Sequence, residues 1–129
     1  MTKRILVIDD DEAVRKSFIL ALEDTRYRVD TVESGEKGIE QVLDSPTDLI
    51  LLDLKMPGMN GVETLRKLRE IDPGVPIYII TAFHKEFLDQ LGGAAQDGLS
   101  FELLHKPIGA DEINLLARSV LEGPVGFAQ

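Results

Sequence analysis

The chain has 129 residues, 43% hydrophobic and 29% charged, which suits one compact domain with its own core. Its 14 Lys and Arg against 23 Asp and Glu leave a formal net charge of −9, which argues against binding the phosphate backbone of nucleic acid. Cysteine is absent, so disulfides, zinc-thiolate sites and thiol catalysis are excluded, and no apolar stretch is long enough to span a bilayer.

The first predicted strand lies at 4–8, where Ile5-Leu6-Val7-Ile8 runs into Asp9-Asp10-Asp11. Four apolar residues after Met1–Arg4 are too few for a signal-peptide core, which fits a cytoplasmic protein. A helix is predicted over 11–24, then a strand at 28–32 and a helix at 35–44. The third strand, 48–52, is the β-favouring run Leu49-Ile50-Leu51-Leu52. It delivers Asp53 into a breaker-rich loop, Leu54-Lys55-Met56-Pro57-Gly58-Met59-Asn60-Gly61. Asn60, with Glu63 three residues on, forms a capping box for a helix over 61–70.

The fourth strand, 76–80, runs from Ile77-Tyr78-Ile79-Ile80 into Thr81-Ala82. The helix after it, 85–96, has the weakest pattern. Phe87, Leu88, Leu91, Ala94 and Ala95 share a face, but Gly92-Gly93 interrupts at about 1 kcal/mol per glycine. Either the helix ends early or it is a segment of low local stability. A fifth strand at 101–105 leads into Lys106-Pro107. The last helix, 110–122, carries Ile113, Leu116, Ala117, Val120 and Leu121 on one face and stops at Gly123-Pro124. Residues 123–129 read as a short tail or the start of a linker.

Strands alternating with helices imply βαβ units and a parallel sheet with right-handed crossovers. Ligands of such sheets collect at the carboxyl ends of the strands. Asp9 and Asp10 stand at one strand end, Asp53 at another, Thr81 at a third and Lys106 at a fourth, which points to one shared site. Carboxylates gathered in a crevice repel unless a cation lies between them, and hard oxygens with room for water suit Mg²⁺. An Asp can also act as a nucleophile through an aspartyl-phosphate intermediate, with Thr and Lys holding phosphoryl oxygens. The loop from Asp53 to Asn60 does not fit a calcium site, because Lys55 and Pro57 stand where ligands should be. Plainer readings remain for each residue. The Asp9–Asp11 run can cap a helix, Thr81 can be an ordinary strand residue and Lys106 a solvated lysine. His84 and His105 are isolated and read as structural or exposed.

Ile5-Leu6-Val7-Ile8-Asp9-Asp10-Asp11, Leu51-Leu52-Asp53 with the loop through Gly61, Ile80-Thr81-Ala82 and His105-Lys106-Pro107 together resemble the response regulator receiver family, of the CheY-like kind. The resemblance covers residues 3–122. It implies a doubly wound five-stranded α/β fold, flavodoxin-like and three-layered, with sheet order 2-1-3-4-5. It implies that Asp53 accepts a phosphoryl group from a histidine kinase or histidine phosphotransfer protein. Asp10 and Asp53 would ligate Mg²⁺ with their side chains, Lys55 with its backbone carbonyl, and Asp9 through water. Thr81, the backbone of Ala82 and Lys106 would hold the phosphoryl oxygens, and Lys106-Pro107 would be a cis peptide. The resemblance implies a signalling domain rather than a classical enzyme, one that assists its own phosphorylation and dephosphorylation.

The chain departs from that pattern in two places. Leu103 stands three residues before Lys106, where many receivers have Tyr or Phe; Phe101 is displaced along the same strand face. The stretch Asp97-Gly98-Leu99-Ser100 is one residue longer than usual. Lack of the aromatic also occurs in single-domain phosphorelay intermediates, and Thr81-Ala82-Phe83 with Lys55 is similar to the sporulation phosphorelay type. Switching is therefore expected to fall on Phe83 and the fourth helix, with Leu103 muted. Two competing readings are a degenerate receiver that binds proteins without phosphate, and a flavodoxin-like electron carrier. The second is disfavoured because Asp9-Asp10-Asp11 would repel the phosphate of FMN.

Overall fold

In the computed structural model, which describes residues 2–82 and 85–123, strands and helices alternate throughout. They are β1 (Arg4–Ile8), α1 (Glu12–Ala21), β2 (Arg28–Val32), α2 (Gly35–Asp44), β3 (Leu49–Asp53) and α3 (Gly61–Ile71). Then follow β4 (Ile77–Thr81), α4 (Leu88–Gln96), β5 (Glu102–His105) and α5 (Ala110–Glu122). The strands form one parallel sheet in the order β2-β1-β3-β4-β5, with β3 central. Phe83, His84 and the tail after Gly123 lie outside the described residues.

A central parallel strand is covered on both faces, and so reads as an unbroken apolar run. All five residues of β3 are buried. Ile50 and Leu52 enter a core cluster with Leu65 and Leu68 of α3 and Leu91 and Ala94 of α4, while Ile39 and Val42 of α2 pack against it. Leu49 and Leu51 enter the opposite cluster, with Phe18 and Ala21 of α1 and Ile113 and Ala117 of α5. Three helices therefore cover one face and two the other.

Differences from the sequence reading are small and have local causes. Asp53 and Thr81 are themselves the last residues of β3 and β4 rather than the first residues past them. Helix α1 starts after Asp11 because that side chain accepts from Ala13 N and Val14 N as the N-cap, and its regular bonding ends at Leu22. Asn60 and Glu63 form the expected capping box of α3. The stretch before β5 stops α4. Gly98, at φ +81°, and Leu99 donate to the carbonyls of Ala95 and Ala94 at 3.0 and 3.1 Å. This is the paired closure of a helix C-terminus, with Leu99 returning to the core.

Helix α4 begins as a 3₁₀ turn (Lys85–Phe87) and does not end at its glycines. A Cβ at Gly92 would meet nothing within 4 Å, and one at Gly93 only the Arg66 guanidinium at 3.6 Å. Packing therefore requires neither glycine. Gly92→Ala and Gly93→Ala should each stabilise the protein by about 1 kcal/mol. Urea unfolding midpoints check this, and a loss in either variant would show that α4 depends on the glycine.

Candidate functional site

Sheet register brings the acids together. Val7 pairs with Leu51 and Ile8 with Leu52, so Asp9 falls beside Asp53 at the carboxyl end of the sheet. Both continue the alternation that sends Ile5, Val7, Leu49 and Leu51 to the α1/α5 face. Carboxylate oxygens of Asp9, Asp10 and Asp53 all lie within 4.8 Å of one another. Asp9 and Asp53 are buried, whereas Asp10 is exposed.

Lys106 enters from the far side. Its backbone N–H donates to the carbonyl of Thr81 at 2.8 Å, which ties the end of β5 to the end of β4. Its ammonium lies 3.0 Å from Asp53 Oδ1 and 3.2 Å from Asp9 Oδ2. The bond from Lys106 to Pro107 is cis. Thr81 is buried beside this junction, and Ala82 after it is exposed.

One lysine does not neutralise three carboxylates. Burial, and then the Asp9 carboxylate, push Asp53 up to about 6, although Lys106 pulls the other way. Burial pulls the Lys106 ammonium down, but its bonds to Asp53 and Asp9 outweigh this and hold it above its ordinary range. A site short of positive charge, with an exposed acid at its mouth, suits a hard dication that keeps several waters. The donor set therefore fits Mg²⁺.

The loop after Asp53 is shaped by Gly61. A Cβ there would lie 2.5 Å from Asp53 O and 2.7 Å from Leu54 Cα, both backbone atoms. Its N–H also donates to Leu54 O at 2.7 Å. Only glycine lets α3 start so close to the end of β3. Lys55 sits on this loop, exposed, with its ammonium 3.5 Å from Glu86. That ion pair is solvated at both ends and adds little stability.

Other expected residues are placed as follows. Leu103 lies on β5 opposite Ile79 and is half exposed, while Phe101 packs against the α3/α4 core. His105 ends β5 and is exposed. Asp11 caps α1, so among the three consecutive acids the cap and site readings divide by residue. Phe83 and His84 are outside the described residues. The roles of Gly61 and Arg15 were not read from the sequence. A glycine directly after a helix N-cap was the available signal for Gly61; nothing in the spacing marks Arg15, whose guanidinium donates to Asp9 O at 2.7 Å. A groove of about 730 Å³ lies away from the acids between β5 and α5, lined by Tyr78, Leu104, Leu116 and Val120.

The family model described as the response regulator receiver domain matches residues 5–118. The chain is 36% identical over 105 residues to the response regulator receiver protein CpdR of Brucella abortus, covering 81% of this chain and 85% of that one. It is 35% identical over 118 residues to the transcriptional regulatory protein ResD of Bacillus subtilis, covering 92% of this chain and 48% of that one. It thus spans most of the first relative and about half the length of the second. A CheY-like receiver domain protein from Methanospirillum hungatei superposes with a TM-score of 0.81 at 27% identity, over 95% of this chain and 97% of that one. Chemotaxis protein CheY4 of Vibrio cholerae gives 0.80 at 23% identity, over 94% and 100%, a likeness of fold alone.

Proposed function

The chain belongs to the response regulator receiver domain family of two-component systems, and from that premise we propose that it relays a signal by accepting a phosphoryl group on Asp53. The donor is the phosphohistidine of a partner histidine kinase or histidine phosphotransfer protein. One observation carries this reading: three carboxylates converge within 4.8 Å, with a lysine 3.0 Å from Asp53.

In this reading a carboxylate oxygen of Asp53 attacks phosphorus as the bond from phosphorus to the donor imidazole nitrogen breaks, and the imidazole leaves with the electron pair. Asp53 must be ionised to attack, which its value of about 6 allows at neutral pH. Asp10 and Asp53, the Lys55 carbonyl and, through water, Asp9 would hold Mg²⁺, which supplies charge withdrawal from the transferring group. Lys106, Thr81 and the Ala82 N–H bind the phosphoryl oxygens. Water later attacks the same phosphorus and frees Asp53. Residues 3–122 form the working unit, which acts in the cytoplasm on proteins rather than on nucleic acid. No helix among the described residues is long and apolar enough to cross a membrane.

Acetyl phosphate with Mg²⁺ tests the proposal. Intact-mass analysis should show a gain of one phosphoryl group, lost in excess EDTA. No gain at all would leave a receiver that binds partners without phosphate, and labelling that survives EDTA would remove the metal from the scheme.

Mg²⁺ should also raise the melting temperature of the unphosphorylated protein. A ligand bound only by the folded state at a hundred times its Kd contributes about 2.7 kcal/mol. Asp10→Ala should abolish the rise; an equal rise in that variant would mean general screening.

Output falls on α4 and the groove between β5 and α5. Leu103 offers no ring to swing inward behind Thr81, so α4, with its two removable glycines, carries the response together with Phe83. Beryllofluoride with Mg²⁺ should shift amide signals most strongly from Thr81 to Gly98, beyond the site itself. Leu103→Tyr should leave labelling intact and redirect those shifts towards β5. A shift pattern unchanged in Leu103→Tyr would show that this position takes no part in switching.

A further inference from the structure

We infer that Arg15 is a positioning residue of the site, which sets the direction of Asp10 by clamping the backbone of Asp9. This rests on the metal-assisted reading above. Asp9 is only 2% exposed, and protein groups satisfy each of its polar atoms. Its N–H donates to Val32 O at 3.1 Å. Oδ1 accepts from Asp11 N at 2.9 Å and Oδ2 from Lys106 Nζ at 3.2 Å. Its carbonyl lies past the last paired residue of β1, Ile8, so the sheet supplies no donor for it. Arg15 Nη1 supplies one at 2.7 Å. A buried carbonyl without a donor is costly, and a guanidinium makes the stronger, charge-assisted kind of bond.

Beyond this bond, Arg15 contributes only a Coulombic attraction to the exposed Glu33. Among the described residues it forms no ion pair within 4 Å and makes no second side-chain hydrogen bond. It is carried by α1, whose N-cap is the Asp11 side chain. The backbone from Asp9 to Asp11 is therefore held at both ends. Arg15 grips one end, and the helix that carries Arg15 is capped by the other. Asp10 sits between them, exposed. The geometry of this closed ring is what aims the Asp10 carboxylate at Asp9 and Asp53.

Charge and position predict opposite signs here. Removing a cation near the acids would, by Coulomb's law, tighten binding of a dication. Loosening the ring would weaken it, as loss of an outer partner of a metal ligand does. Mg²⁺ dissociation constants, from amide-shift titration of the unphosphorylated full chain, separate the two. Arg15→Met should weaken Mg²⁺ binding about tenfold. Arg15→Lys keeps the charge and one donor but not the planar fork, and should weaken it about threefold. Melting temperatures confirm that each variant is folded; if Arg15→Met is not, Arg15→Lys decides alone. Affinity at or above wild type in any folded variant overturns the inference. A wild-type chain that fails to bind Mg²⁺ overturns the metal reading with it, whereas wild-type binding with a flat variant series removes the role of Arg15 alone.

Discussion

Asp53→Asn should abolish phosphoryl labelling and, at the same time, stabilise the metal-free protein at pH 8. Asp53 is the strand-end acid with two further acids beside it and a lysine 3.0 Å away, so on the proposed scheme removing its attacking oxygen removes the reaction. The stability effect follows from its raised value. The folded state holds the Asp53 proton up to about 6, whereas the unfolded chain releases it near the ordinary carboxyl value of 3.8. Between those two values the folded state binds more protons, so stability falls as pH rises through the window and stays low above it. About two pKa units correspond to about 3 kcal/mol, an upper bound on what neutral Asn restores. The gain should be present above pH 6 and vanish as pH falls towards 4, where Asp53 is neutral in both states. Saturating Mg²⁺ should shrink it, since the cation offsets the same repulsion. Urea unfolding at pH 8 and pH 4 reads the effect. A variant less stable than wild type at pH 8 would show that the Lys106 bond outweighs the repulsion. Full labelling of the variant would place the phosphoacceptor elsewhere.

Gly61→Ala should be the most damaging single methyl group added to this chain near the site. Its Cβ would meet Asp53 O at 2.5 Å and Leu54 Cα at 2.7 Å, and neither can rotate away as a side-chain end can. Either α3 withdraws from β3 or the loop carrying Lys55 is displaced. Overpacking of this kind costs about 3 kcal/mol. Mg²⁺ affinity should fall as well, because in the proposed scheme that loop brings the Lys55 carbonyl to the ion. Gly92→Ala, the same change in open space, should stabilise. Similar unfolding midpoints for the two variants would contradict the close approach at Gly61.

Composition and pattern were enough to determine the fold class and to single out strand-end residues that the fold gathers, Asp9, Asp10, Asp53 and Lys106. Apolar runs of four residues leading into Asp9, Asp53 and Thr81 are local signals. So are the 3.6-residue stripe of α5 and the Asn60–Glu63 capping box, because each depends on the period of a single element. The resemblance added the strand order, which the sheet bears out. Tertiary structure alone decided how the site is charged and held. Lys106 reaches Asp9 across 97 residues of chain, and Asp53 rises to about 6 because the fold buries it and register sets it beside Asp9. The same holds for Gly61 against the end of β3 and Arg15 on the carbonyl of Asp9. Helical and strand periods report which face of its own element a side chain occupies. The electrostatics and close contacts at strand ends depend on which faces meet and at what distance, and packing decides that.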